Sequence, residues 1–176
     1  MLLYKLMKSQ WAFSKRMGFT IVELLIVIVV IAVLAVVTIV AYNGMQSRAQ
    51  ASALQSDLAN AKKKLSLYKV DQGHFPTSFA ELTSSDVKAT KSAYDTTANN
   101  FYYCLNTSTD EFGLGGRTLD KKSAYVISSS GSLQPYPGGV GADQVCQAVG
   151  LTGYADANAY VSNGHASGSG WASWVK

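Results

Sequence analysis

The sequence predicts an α+β protein: a long N-terminal helix, half transmembrane and half amphipathic, packed on a small antiparallel sheet head with one disulfide. Three observations carry that prediction. Leu24 to Ala41 form an apolar run interrupted only by Thr38, about the length a helix needs to cross a ~30 Å hydrocarbon layer. Beyond it, Leu54, Leu58, Ala61, Leu65 and Tyr68 recur at alternating steps of four and three, which is one stripe on a helix. After residue 100 the helical period gives way to short aromatic and β-branched runs bounded by turn-forming residues, with two cysteines among them.

At 176 residues, 48% apolar and 15% charged, the chain has material for one modest core and one membrane segment, not for two full domains. The formal charge of +4 sits at the start: Lys5, Lys8, Lys15 and Arg16 precede the apolar run, and residues 19–176 hold 11 basic and 11 acidic side chains. A basic global surface is therefore absent, and no nucleic-acid partner is expected. The short run Lys62-Lys63-Lys64 reads as a solvated helix face.

The apolar run decides the compartment. Its β-branched residues would suit a buried strand, but strands are seldom this long, so a bilayer helix is the better reading. The basic residues before it place the N-terminus in the cytoplasm and everything after Tyr42 outside. Cys104 and Cys146 then lie on the oxidising side, where pairing is expected, and two cysteines permit one intramolecular connectivity. An ordinary secretory signal cut after Ala49 or Ala51 is the competing reading. Against it, the run exceeds the ~7–15 residues of a signal core, Glu23 stands in its leading edge, and the helical stripe continues past the cleavage point. A single helix from Phe19 to Val70 is expected, roughly 78 Å long at 1.5 Å per residue, half in lipid and half against a soluble domain.

Glu23 needs explaining. A charged side chain costs about 2.5–3.5 kcal/mol at the bilayer centre, less near the edge, and still wants a partner in an apolar assembly. The plain alternative is a carboxyl that snorkels to the interface or stays protonated. Met17-Gly18-Phe19-Thr20-Ile21-Val22-Glu23-Leu24-Leu25, set between a basic leader and an apolar helix, resembles the type IV prepilin processing site of the pilin and pseudopilin family. That resemblance implies cleavage between Gly18 and Phe19 by a prepilin peptidase and methylation of the new Phe19 amine. It also implies a subunit-assembly role for Glu23, which would neutralise the Phe19 amine of a neighbouring copy. Two charges costly apart in an apolar bundle become tolerable together, and a misaligned subunit leaves both unpaired.

The resemblance divides the chain into a leader peptide (1–18), a transmembrane and assembly half of the long helix (19–43), its amphipathic half (44–71) and a globular head (72–176). It implies a structural subunit of a type IV pilus-like extracellular filament, used in adhesion or twitching motility. The alternative is a pseudopilin of a type II secretion or DNA-uptake machine. Implied partners are copies of itself and other pilins, the prepilin peptidase, the assembly platform protein, the assembly ATPase machinery and the membrane. The precursor would be a single-pass protein of the inner or cytoplasmic membrane before it enters an extracellular filament. One feature departs from the family pattern. Many members carry a proline and a glycine within the apolar stretch, whereas here Ala32 and Val40 stand where breakers are expected, the first proline is Pro76, and Gly44 is the first glycine after the leader.

Tyr68-Lys69-Val70-Asp71-Gln72-Gly73-His74-Phe75-Pro76-Thr77 resembles the motif that follows the long helix in many pilins. Its physics stands alone: Gly73 can take the left-handed conformation that ends a helix, and Pro76 prevents resumption. Ser78-Phe79-Ala80-Glu81 has capping-box spacing, predicting a short helix over Phe79–Leu82. Residues 83–100 are polar and weakly periodic and read as a surface loop. Phe101–Leu105 and Ala124–Ile127 read as strands, Ser130-Gly131-Ser132 as a turn into Leu133–Tyr136, and Asp110 to Gly116 as a turn-rich connection. The Cys104–Cys146 bridge would close a loop of about 40 residues and contribute roughly 3–4 kcal/mol by the chain-entropy argument. In family terms it resembles the bridge bounding the variable C-terminal region. The Gly- and Ser-rich tail after Cys146 needs anchoring, and Trp171 and Trp174 read as core plugs.

Chemistry-bearing motifs are otherwise missing from the sequence. His74 and His165 stand alone and read as surface histidines, with no phosphate loop or nucleophile elbow nearby. No catalytic residue, metal or cofactor is expected, which weakens an anchored enzyme or receptor as a reading. Asp143 and Asp156, in Gly- and Asn-rich loops, are the residues a calcium ion would use, but they lack a dense ligand pattern. Asn106-Thr107-Ser108 fits a glycosylation sequon, with unmodified asparagine as the default.

Overall fold

The computed structural model describes residues 18–137 and 139–176; residues 1–17 of the basic leader, with Lys5, Lys8, Lys15 and Arg16, lie outside the described residues. The chain divides into two compact units, one ending at Ala41 and one spanning Tyr42–Lys176. A 52-residue helix, α1 (Ile21–Gln72), contributes to both. In the first unit every large apolar side chain from Ile21 to Val40 is at least half exposed. The one hydroxyl in that stretch, on Thr38, donates to the Leu34 carbonyl one turn back, so the run presents no unsatisfied hydroxyl to lipid.

In the second unit the α1 stripe turns inward. Leu54, Leu58, Ala61 and Leu65 are buried and pack on one face of a six-stranded antiparallel sheet. The helix stops where the sequence says it should: Gly73 takes φ +87° and its N–H bonds the Lys69 carbonyl at 2.8 Å, leaving a chain direction that only glycine adopts cheaply. A short helix, α2 (Phe79–Ser84), follows. The Glu81 N–H donates to Ser78 Oγ, half of a capping box, and the Glu81 carboxylate reaches one residue past the cap to accept from the Thr77 N–H and hydroxyl.

The strands are β1 (Asn100–Asn106), β2 (Glu111–Arg117), β3 (Ala124–Ser128), β4 (Gln134–Pro135), β5 (Ala159–Ala166) and β6 (Gly170–Trp171). Their order is β4-β3-β2-β1-β5-β6. β1 alternates across the sheet: Tyr103 and Leu105 join Phe112, Leu114 and the α1 stripe on one face, while Tyr102 and Cys104 join Val126 and Val145 on the other. That second face is covered by a helix the sequence did not suggest, α3 (Ala142–Gln147). The Cys104–Cys146 disulfide ties α3 to the middle of β1, Cα to Cα 5.3 Å.

Four expectations are corrected. Asp110 to Gly116 is mostly strand β2, not a turn-rich connection. Its glycines serve close approach rather than turning: a Cβ on Gly113 would lie 2.5 Å from the Val145 carbonyl oxygen, and one on Gly115 within 2.8 Å of Val140 and Val145 side chains. Residues 83–100 are not a surface loop, because Val87, Tyr94, Asp95 and Asn100 are buried. Some of its polar residues face inward: Asn100 Nδ2 donates to the Asp95 and Arg117 carbonyls at 2.9 Å, and its Oδ1 accepts from the Phe101 and Arg117 N–H groups. The tail is not merely anchored, since β5 and β6 extend the sheet from β1. Finally, His165 is buried, its ring 5.3 Å from Trp171 and its Nδ1 3.2 Å from the Ala98 carbonyl. It lies on β5, where neighbouring strands and the tail close over it. Trp174 is the plug its position promised, fully buried against Phe101 and donating its indole N–H to the Asn163 carbonyl. Trp171 is half-buried beside Tyr94.

Candidate functional site: the start of the apolar helix

The residues singled out for processing and assembly lie at the first turn of α1. Gly18, Phe19 and Thr20 precede the helix in extended or irregular backbone and are exposed, with Phe19 84% accessible. Nothing in the fold requires glycine at 18. A Cβ there would meet no atom within 4 Å, and its φ lies outside the region that disfavours side chains. Any demand for glycine at this position must come from a molecule that reads the segment.

Thr20 and Glu23 form a reciprocal capping box. Thr20 donates to Glu23 Oε2 through both its N–H and its hydroxyl, each at 2.8 Å, and the Glu23 N–H returns a bond to Thr20 Oγ1 at 3.2 Å. Two of the four orphan N–H groups of the helix start are thereby used. Oε2 is engaged twice, while Oε1 accepts no bond among the described residues. The carboxylate is positioned by its own helix and keeps one oxygen open. Thr20 is the participant that sequence reasoning passed over, although its T-x-x-E spacing is the same signal that marks Ser78 and Glu81.

The remaining candidates lie elsewhere in the chain. His74 is exposed, its Nδ1 2.9 Å from the Phe75 carbonyl and its ring edge-on to Tyr68. The Asp143 carboxylate accepts from the Tyr154 N–H, and that of Asp156 from Thr152 and Asn158. Among the described residues no group of three His, Cys, Asp or Glu could hold a metal ion. Asn106 is buried, with its Nδ2 bonded to the Val149 carbonyl and its Oδ1 to Ser108, so the sequon it heads is not offered to a transferase. Lys69 pairs with Asp110 at 2.8 Å, and Asp110 also accepts from the Phe75 N–H. Burial works to raise the Asp110 pKa, but the Lys69 and Phe75 bonds outweigh it and hold the carboxyl below its ordinary value. The helix exit is thus latched to the β1–β2 turn.

Residues 14–39 match the family described as the Prokaryotic N-terminal methylation motif. No curated protein matches the chain. The motif and the apolar helix behind it match the prepilin and pseudopilin recognition motif. A long helix packed against a small antiparallel sheet with one disulfide is the α+β fold of pilins. Motif and fold together support a structural subunit of pilin or pseudopilin type, and the one helix among the described residues that is long and apolar enough to cross a membrane supports membrane anchoring of the precursor.

Proposed function

We propose that the chain is a precursor cut between Gly18 and Phe19 by a prepilin peptidase, methylated on the Phe19 amine, and polymerised from the membrane into a type IV pilus-like extracellular filament for adhesion or motility. The observation that supports this reading best is the geometry of Glu23. Its carboxylate is oriented by Thr20 through one oxygen and open at the other, four residues from the amine that cleavage would create. Before cleavage that position is an amide and the carboxylate has no cation to meet there. After cleavage, each subunit carries one amine and one preoriented acceptor in an apolar helix, and neighbouring subunits can neutralise both.

The membrane half of the helix (19–43) would move from lipid into a bundle of like helices, exchanging one apolar surrounding for another. The amphipathic half (44–71) would carry the head (72–176). Copies of the chain and other pilins would be its neighbours, with the assembly platform and its ATPase supplying the work of extraction. No catalytic or cofactor role enters.

The test is Glu23→Gln. Glutamine at this position retains the capping box, so the substitution removes the charge and little else. Leader removal and membrane retention should be normal, while sheared-filament yield collapses; Gly18→Val should block cleavage itself. Normal filament yield from cleaved Glu23→Gln subunits would refute the pairing mechanism. Scarcity of the wild-type chain in sheared filaments, with normal cleavage, would move it to a pseudopilin role.

A further inference from the structure

We propose that the head carries a binding cleft for a neutral saccharide on the α3 face of the sheet, between β1, β5 and the start of α3. In the β1–β5 register Tyr102 stands opposite Asn163 and Cys104 opposite Val161. Directly opposed residues of an antiparallel pair share a face, so all four lie on the side where α3 is tied by the Cys104–Cys146 bridge. The short helix leaves a cleft of about 350 Å³ floored by Tyr102, Val161 and Asn163 and walled by Asn99, Asp143 and Tyr154. That volume falls within the range of small-ligand sites and has room for a mono- or disaccharide.

The walls are fixed rather than incidental. Asp143 Oδ1 accepts the Tyr154 N–H at 3.0 Å, and a Cβ on Gly153 would lie 2.5 Å from the same oxygen. The carboxylate can approach only because residue 153 is glycine. Tyr154 is held at the rim, the residue 59% exposed, and is not part of the core.

The unused bonding capacity is specific. Asn99 Oδ1 is taken by the Ser167 N–H, which leaves its Nδ2 to donate. Tyr102 gives its proton to the Asn99 carbonyl and keeps lone pairs to accept. Asn163 meets Trp174 through its main-chain carbonyl, leaving its amide free to donate and accept. Asp143 retains Oδ2. Planar amides and a carboxylate beside an aromatic ring suit adjacent hydroxyls and the apolar C–H face of a pyranose.

Other ligand classes fit less well. Among the described residues no Lys or Arg lines the cleft, so an anionic sugar or phosphate would meet the Asp143 charge without compensation. One carboxylate with one oxygen committed falls far short of the ~6–8 oxygen ligands of calcium. β1 and β5 are interior strands, so no open sheet edge is available for an extended peptide.

The site stands apart from filament assembly and can be tested without it. The full chain is placed in phospholipid nanodiscs, which avoids glycosidic detergents, and titrated by saturation-transfer NMR with glucose, galactose, their N-acetylated 2-amino forms, and lactose, with sialyllactose as the anionic comparison. At least one neutral sugar should bind, and Tyr154→Ala and Asn163→Ala should each weaken that binding by about tenfold or more, with an unchanged melting curve. Tyr154 is exposed, so its variant tests the site even if Asn163→Ala disturbs the strand. Unassembled Glu23→Gln should bind as wild type. Absence of binding by every neutral sugar, binding only of sialyllactose, or full binding by folded Tyr154→Ala would each overturn the proposal.

Discussion

The unit ending at Ala41 and the unit from Tyr42 onward are built from similar apolar residues put to opposite use. From Ile21 to Val40, Leu, Ile and Val side chains are at least half exposed, whereas Leu54, Leu58 and Leu65 of the same helix are wholly buried. One half of α1 has its apolar partners inside the chain, in Tyr103, Phe112 and Leu114. The other finds none among the described residues, and under the proposed function they are lipid and then like helices. The difference lies in pattern: an apolar surface all round a helix needs an apolar surrounding on every side, while a stripe needs one sheet. Stability should therefore reside in the second unit and assembly in the first.

A matched pair of truncations tests this division between the two units. Leu58→Ala opens a cavity between α1 and the sheet and should lower head stability by about 3–5 kcal/mol. Ile28→Ala removes the same number of carbons from the membrane half and should leave head unfolding unchanged. Denaturant titration of both full-length variants in micelles, followed by near-ultraviolet circular dichroism, compares them. An equal loss from Ile28→Ala would mean that the anchor contributes to head folding.

Reduction of the Cys104–Cys146 bridge comes next. The bridge closes a loop across 42 positions, and its loss should cost the head about 3–4 kcal/mol, mostly by freeing the unfolded chain. It also releases α3 from β1, which Ile28 in the other unit cannot influence. An unchanged denaturation midpoint after reduction would show that Val145, Val149 and Leu151 hold α3 without it.

How far the sequence revealed these two units follows from the physics of each. A membrane run is defined by composition, so Leu24–Ala41 could be read directly, and the α1 stripe by period. β2 could not, because Gly113, Gly115 and Gly116 look like turn residues until Val140 and Val145 are seen pressing against two of them. Residues 83–100 looked solvated because they are polar, yet Asp95 and Asn100 are buried with their partners supplied by Arg117, distant in sequence. The cap at Thr20 was legible by spacing. The cleft beside Tyr154 was not, since it depends on the β1–β5 register that brings Asn163 next to Tyr102.

Acid should also destabilise the head. Asp95 is fully buried. Burial works to raise its pKa, but the Thr97 bonds and the Arg117 guanidinium prevail and hold it below the ordinary value of 3.8; Asp110 is lowered in the same sense. A depressed folded pKa means that the unfolded chain binds protons first, so this stability is present above pH ~4 and lost as pH falls through the folded values. Asp95→Asn should lower stability at neutral pH by about 2–3 kcal/mol, toward or below the lower end for a broken buried pair because Arg117 keeps some solvent. It should also flatten the fall below pH ~4. An acid-unfolding curve that is as steep in the variant as in wild type would remove Asp95 from the account.

The smallest effect separates the two roles of the first turn of α1. Thr20→Ala deletes the hydroxyl that accepts the Glu23 N–H and one of the two bonds that seat Glu23 Oε2, a loss of about 1 kcal/mol at a helix start. Thr20→Ser keeps the hydroxyl and should lose little. Because Glu23 itself is unchanged, its charge remains available to a neighbouring amine, but its carboxylate is no longer held. Amide hydrogen exchange at Glu23 in micelles should quicken severalfold in Thr20→Ala and recover in Thr20→Ser. Filament yield should fall partway, between wild type and Glu23→Gln, if orientation of the carboxylate contributes to pairing. Faster exchange with full filament yield would show that the capping box serves only the helix and that the charge of Glu23 alone drives assembly.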